Sequence, residues 1–110
     1  MYEIKKRVEI SAAHKLNLSY ESKCEQLHGH NWLIDIYLRG ETLNSDGMLM
    51  DFTHIKQKIT DKLDHTVLND VLPFNPTAEN LARFVCEQLS PLCFRVDVTE
   101  SEDNTASYYI

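Results

Sequence analysis

Two stretches of two-residue alternation, divided by a polar segment, limit what this chain can fold into more than any other feature. In residues 2–10, Tyr2, Ile4, Val8 and Ile10 point one way while Glu3, Lys5, Arg7 and Glu9 point the other. Residues 30–39 alternate again, with Trp32, Ile34, Ile36 and Leu38 on one side. A period of two with one polar face marks a half-buried antiparallel strand. The residues between, 11–27, are irregular and polar and too long for a tight hairpin. Connections of that length often carry function.

After a turn signal at Asn44–Gly47, the period becomes helical. Phe52, Ile55, Ile59 and Leu63 form one stripe over residues 52–63, with Asp51 or Thr53 as the N-cap. Residues 78–89 repeat this with Leu81, Phe84, Val85 and Leu89, capped by Thr77 after Pro76 and stopped by Pro91. Phe94–Thr99 alternates as a third strand, and Ala106–Ile110 makes a fourth. The order ββααββ predicts an α+β fold with a four-stranded antiparallel sheet and two helices on one of its faces. The other face is mixed, with Leu33 and Tyr37 among polar residues, which suggests burial against further subunits.

At 110 residues the chain suits one domain spanning 1–110. Seventeen acidic against eleven basic residues give a net charge of −6, which argues against nucleic acid as a partner. No apolar run approaches the ~18 residues of a membrane helix, so no membrane partner is expected. An odd number of cysteines, three, with no disulfide-like spacing points to a reducing compartment, and the expected location is the cytoplasm.

The segment Cys24-Glu-Gln-Leu-His28-Gly-His30 carries the chemistry. Two residues apart on extended chain, His28 and His30 lie on the same side. Gly29 between them would let the backbone bend. Two same-side imidazoles need a third ligand for the open three-ligand site of catalytic zinc. His14, at the end of the first strand, supplies it if the first two strands pair. A bound Zn²⁺ would leave a net positive charge facing an open position. Cys24 is either a proton-transfer thiol beside that charge or a further ligand in a closed structural site. Cys86 and Cys93 have no such surroundings and read as structural. Taken alone, Asp64-His65 reads as a solvated pair at a helix C-terminus, and Glu100 as part of an acidic turn with Glu102 and Asp103.

Several motifs in one order resemble the 6-pyruvoyltetrahydropterin synthase family over almost the whole chain. They are Ala13-His14, Cys24-x3-His28-Gly29-His30, Asp51-Phe52, Leu63-Asp64-His65, Leu68-Asn69-Asp70, Asn75-Pro76-Thr77 and Thr99-Glu100. The short Cys24-to-His28 spacing resembles the branch that makes 6-carboxy-5,6,7,8-tetrahydropterin for queuosine and deazapurine synthesis. The resemblance implies zinc on His14, His28 and His30, and a catalytic thiol at Cys24. It implies a second proton-transfer pair at Asp64 and His65, and a pterin anchored at Thr99-Glu100. It also implies the tunnelling fold, a homohexamer of two trimers, and sites shared between subunits. The reaction it implies is a lyase reaction: 7,8-dihydroneopterin triphosphate loses triphosphate and acetaldehyde, with no external redox cofactor. Two alternatives remain, a 6-pyruvoyl product with the side chain kept whole, and a non-catalytic protein that binds zinc or pterin. A hydroxymethyl product, with Glu25 acting beside Cys24, is a weaker third.

Overall fold

A computed structural model describes residues 1–110. It is α+β, with a five-stranded sheet in the order β3-β1-β2-β4-β5. Strand β1 runs Tyr2–His14 and β2 runs His28–Gly40, antiparallel along their whole length. Helix α1 spans Phe52–Leu63, and the two-residue strand β3, Thr66–Val67, leads into a one-turn helix α2 at Leu68–Val71. Helix α3 spans Ala78–Gln88, followed by β4 at Cys93–Ser101 and β5 at Asn104–Tyr109.

The expected four-stranded antiparallel sheet with two helices therefore gains a strand and a helix. Strand β3 pairs with β1 in parallel through Ala12–Thr66 and Ala13–Val67, so the sheet is mixed. Neither addition has a local signal: two residues of strand and four of helix are too short to show a period. Strand β3 forms because β1 continues to His14, four residues past the alternation, and its free edge accepts it; α2 follows directly in the chain.

Both long helices begin as the sequence predicts. The Asp51 carboxylate accepts the Thr53 N–H at 2.8 Å, and the Thr77 hydroxyl accepts the Asn80 N–H at 3.1 Å. Each closes a donor that the first helical turn leaves open. The core lies between the helices and one sheet face. Val8, Ile10, Trp32, Ile34, Ile36, Leu38, Val96 and Val98 meet Ile55, Ile59, Leu63, Leu81 and Val85 there, all buried. Burying side chains of this kind stabilises the fold by about 1.5–3 kcal/mol each.

The opposite face is held by charge. Arg7 donates to both oxygens of Asp35 at 2.8 and 3.0 Å. Arg95 does the same to Asp97 at 3.0 Å each, and Ser107 adds a bond to Asp97 at 2.7 Å. The facing carboxylates Asp35 and Asp97 are directly paired in register, and these cations offset their repulsion. No helix is long and apolar enough to cross a membrane. All three cysteines are free, with Cys86 and Cys93 buried. Burial pushes the Cys93 thiol up to about 12, which makes it a poor nucleophile.

Candidate metal centre

Register decides where the histidines meet. Antiparallel pairing sets His14 opposite His28 and Ala12 opposite His30. All three rings occupy the core-side face at the end of the sheet. The rings stack edge-on, with centroids 4.6 Å apart for His14–His28, 5.1 Å for His14–His30 and 4.8 Å for His28–His30. Trp32 forms the floor, its centroid 4.9 Å from His14 and 5.1 Å from His30. Its indole N–H is fixed by a bond to the Ala12 carbonyl at 3.1 Å. Gly29 lies in regular strand, and a Cβ there would meet only the Ala12 carbonyl oxygen at 3.9 Å. The expected bend at Gly29 is therefore absent, because the strand pairs straight through it.

Hydrogen bonding at the far ring nitrogens sets the tautomers. His14 Nδ1 lies 2.7 Å from the Pro76 carbonyl oxygen, and His28 Nδ1 lies 2.7 Å from that of Gln26. A carbonyl only accepts, so both Nδ1 atoms carry the hydrogen and, in the neutral rings, both Nε2 atoms present lone pairs. Those two Nε2 atoms stand 3.1 Å apart. Protonating one ring would relieve their repulsion, but burial, the largest influence, holds His14 below the usual histidine range. A shared cation would relieve it instead. The spacing approaches the ~3.3 Å edge of a tetrahedron built on metal–nitrogen bonds of about 2.0–2.1 Å.

His30 points the same way. Burial is also the main cause that lowers its pKa. Its Nε2 is buried and makes no hydrogen bond, although Glu100 Oε1 is 3.1 Å away. The contact is close but poorly aligned for an N–H donor. One ligand atom from each of His14, His28, His30 and Glu100 lies within 4.8 Å of the other three. Neutral imidazoles held by second bonds to carbonyls are the donor set that divalent zinc takes. The residues fit a metal.

Glu100 reaches this cluster within its own chain. Val96 and Val98 are buried on the core face, and two residues on, Glu100 continues that row. The register shift between Thr99 and Ser101 leaves Glu100 unpaired with β5, where a bulge re-aims a side chain. The acidic turn with Glu102 and Asp103 does not include it: Glu100 is half-buried while those two are exposed. Thr99 faces the other way and bonds the Thr105 hydroxyl at 3.0 Å. Continuing the alternation from Val96 would have shown the orientation of Glu100 in the sequence.

The remaining expected site residues stand apart from the four-residue cluster. Cys24 lies half-buried in a 3-10 turn, Lys23–Glu25, whose N–H groups are capped by Ser22. Its Sγ is not among the clustered donors, so the closed Cys–His metal site does not form here. Asp64 caps α1 from the C-terminal side and accepts the Ser11 N–H at 2.8 Å. Its other oxygen lies 3.6 Å from His65 Nε2. His65 adopts φ 58°, rare for a non-glycine residue, and its N–H bonds the Ser11 carbonyl at 2.7 Å. Its ring is 84% exposed. An open cavity of about 380 Å³ includes His30 and Thr66, the neighbour of His65, among its walls.

Comparison with known proteins adds the lineage. A Synechocystis 6-carboxy-5,6,7,8-tetrahydropterin synthase is 33% identical, the match covering 99% of this chain and 94% of that one. A Dictyostelium discoideum 6-pyruvoyl tetrahydrobiopterin synthase is 32% identical over 94% of this chain and 92% of its own. A Pyrococcus horikoshii relative matches at 41% over 71 residues, 44% of its length. The solved Caenorhabditis elegans 6-pyruvoyl tetrahydropterin synthase superposes with a TM-score of 0.78 at 27% identity, covering 98% of this chain and 94% of that chain. The family model described as 6-pyruvoyl tetrahydropterin synthase matches residues 3–110, and the chain belongs to that family of enzymes.

Proposed function

We propose that this chain is a zinc-dependent synthase converting 7,8-dihydroneopterin triphosphate and one water to 6-carboxy-5,6,7,8-tetrahydropterin, with release of acetaldehyde and triphosphate. The observation that carries the metal reading is the pair of hydrogen-fixed imidazoles whose free nitrogens converge at 3.1 Å. His14, His28 and His30 would hold the ion. Bound there, zinc supplies Lewis-acid polarisation of a substrate oxygen.

The chain's own side chains do the rest. Glu100, at the rim of the cluster, accepts hydrogen bonds from the amino and ring N–H groups of the pterin, while Thr99, on the other face of β4, contributes only backbone there. Paired charge-assisted bonds of this kind are strong and geometrically selective. Cys24, as thiolate, takes a proton from the substrate's side chain. His65, oriented by Asp64, returns a proton at the other side of the reacting carbons. Two-residue proton traffic of this type contributes about 10²–10⁴-fold each. The ring is reduced at the expense of the side chain, so no outside reductant is needed.

A domain spanning 1–110, an assembly of two trimers, a cytoplasmic location and a place in queuosine synthesis belong to the same proposal. The partly polar open sheet face and the free β5 edge support assembly with further copies. The 6-pyruvoyl product is the second reading, favoured by the near-equal identity to the Dictyostelium relative, 32% against 33%. Stripping the metal with a chelator tests the proposal: product formation stops and returns with zinc. Undiminished turnover by the metal-free protein contradicts it.

A further inference from the structure

Two asparagines hold the segment that leaves the metal centre as though they were a missing strand. Past His14 the chain has no regular structure until the turn that carries Cys24. Yet Lys15 and Asn17, two residues apart, are each bound twice. The Asn69 side chain accepts the Lys15 N–H at 2.9 Å and donates to the Lys15 carbonyl at 2.8 Å. The Asn75 side chain accepts the Asn17 N–H at 2.9 Å and donates to the Asn17 carbonyl at 3.0 Å. An amide side chain offers one acceptor and two donors, so each reproduces both bonds of a strand neighbour.

The clamp is anchored on one side and loaded on the other. Asn75 is itself held through its carbonyl, which accepts from Asn80 Nδ2 at 2.9 Å and from the Thr77 N–H at 2.9 Å, at the start of α3. The next residue, Pro76, provides the carbonyl that fixes the His14 tautomer. On the loaded side, the Leu16 N–H, between the two clamped residues, bonds the Cys24 carbonyl at 2.8 Å. Hydrogen bonds thus run from the start of α3 through Asn75 to Asn17, and separately from Asn69 on α2 to Lys15, while Leu16 between them bonds the turn bearing the thiol.

We infer that Asn69 and Asn75 are positioning residues that fix Cys24 relative to the histidine cluster. Aspartate would keep the acceptor and lose the donors, and longer glutamine would not fit the same bonds, so asparagine is the residue this geometry requires. The role in turnover rests on the proposed function, in which Cys24 moves a proton. The clamp itself does not rest on it.

The test uses thiol alkylation of the zinc-loaded protein and its Asn69→Ala and Asn75→Ala variants. Cys24 is half-buried, while Cys86 and Cys93 are buried and report global opening. The iodoacetamide reaction rate at Cys24 changes by roughly tenfold in each variant, as expected when two hydrogen bonds holding a segment are lost. Cys86 and Cys93 stay as slow as in the wild type. With the proposed substrate, kcat falls by roughly ten- to a hundredfold while KM holds, the cost of misplacing a reacting group. A rate at Cys24 within about twofold of the wild type in both variants, or equal acceleration of all three thiols, overturns the inference. Should Asn75→Ala fail to fold, Asn69→Ala decides alone. A wild type that turns over no pterin removes the proposed function but leaves the alkylation result to decide the clamp.

Discussion

His14 and His28 face each other across the first strand pair with their Nε2 atoms 3.1 Å apart, while their Nδ1 atoms are committed to two separate backbone carbonyls. The fold thus prepares two lone pairs for one acceptor. His28→Ala removes one of them from a half-buried position with little damage to the core. Metal affinity, measured by competition with a chromogenic chelator, falls by roughly tenfold or more. Unchanged affinity contradicts the ligand set.

Cys24→Ala leaves all three histidines in place. Metal content by elemental analysis stays at the wild-type ratio, and kcat drops by roughly 10²–10⁴-fold. An active variant removes Cys24 from the proton-transfer role.

Glu100 stands close enough to His30 to be either a metal ligand or a substrate anchor. In the proposed reaction it anchors the pterin. Glu100→Gln keeps the shape but loses the charge, so it retains metal while KM for the pterin rises roughly tenfold or more. Loss of metal instead would make Glu100 a ligand.

The open sheet face gives a pH prediction. The Arg7 hydrogen bond, the largest influence, holds Asp35 below the ordinary carboxylate value of 3.8. A depressed carboxylate stabilises the fold above 3.8 and loses that contribution as pH falls through its lowered folded-state value. Asp35→Asn therefore costs about 1 kcal/mol at neutral pH, a modest figure because Arg7 is open to screening. In urea titrations the difference shrinks below pH 3.8. A difference that persists undiminished in acid rules out the charge as its source.

Much of this architecture was legible because it is local. The stripe Phe52, Ile55, Ile59 and Leu63 and the Asp51 cap give the bounds of α1 without correction, and the Thr77 cap gives the start of α3. His14, His28 and His30 follow from strand parity once β1 and β2 pair. Less local features stayed hidden. Strand β3 exists only because Ala12 and Ala13 lie beside it. The Pro76 carbonyl that orients His14, and the backbone bonds of Asn69 and Asn75, join residues more than fifty positions apart and leave no period to find. Glu100 was placed by family resemblance, although parity from Val96 and Val98 also aims it at the cluster.

The central claim is tested most directly by mass analysis of the products after zinc-loaded protein meets 7,8-dihydroneopterin triphosphate. The expected products are 6-carboxy-5,6,7,8-tetrahydropterin and acetaldehyde. Recovery of unchanged substrate, with zinc verified in the protein, or of a pterin that keeps its whole side chain, would contradict it.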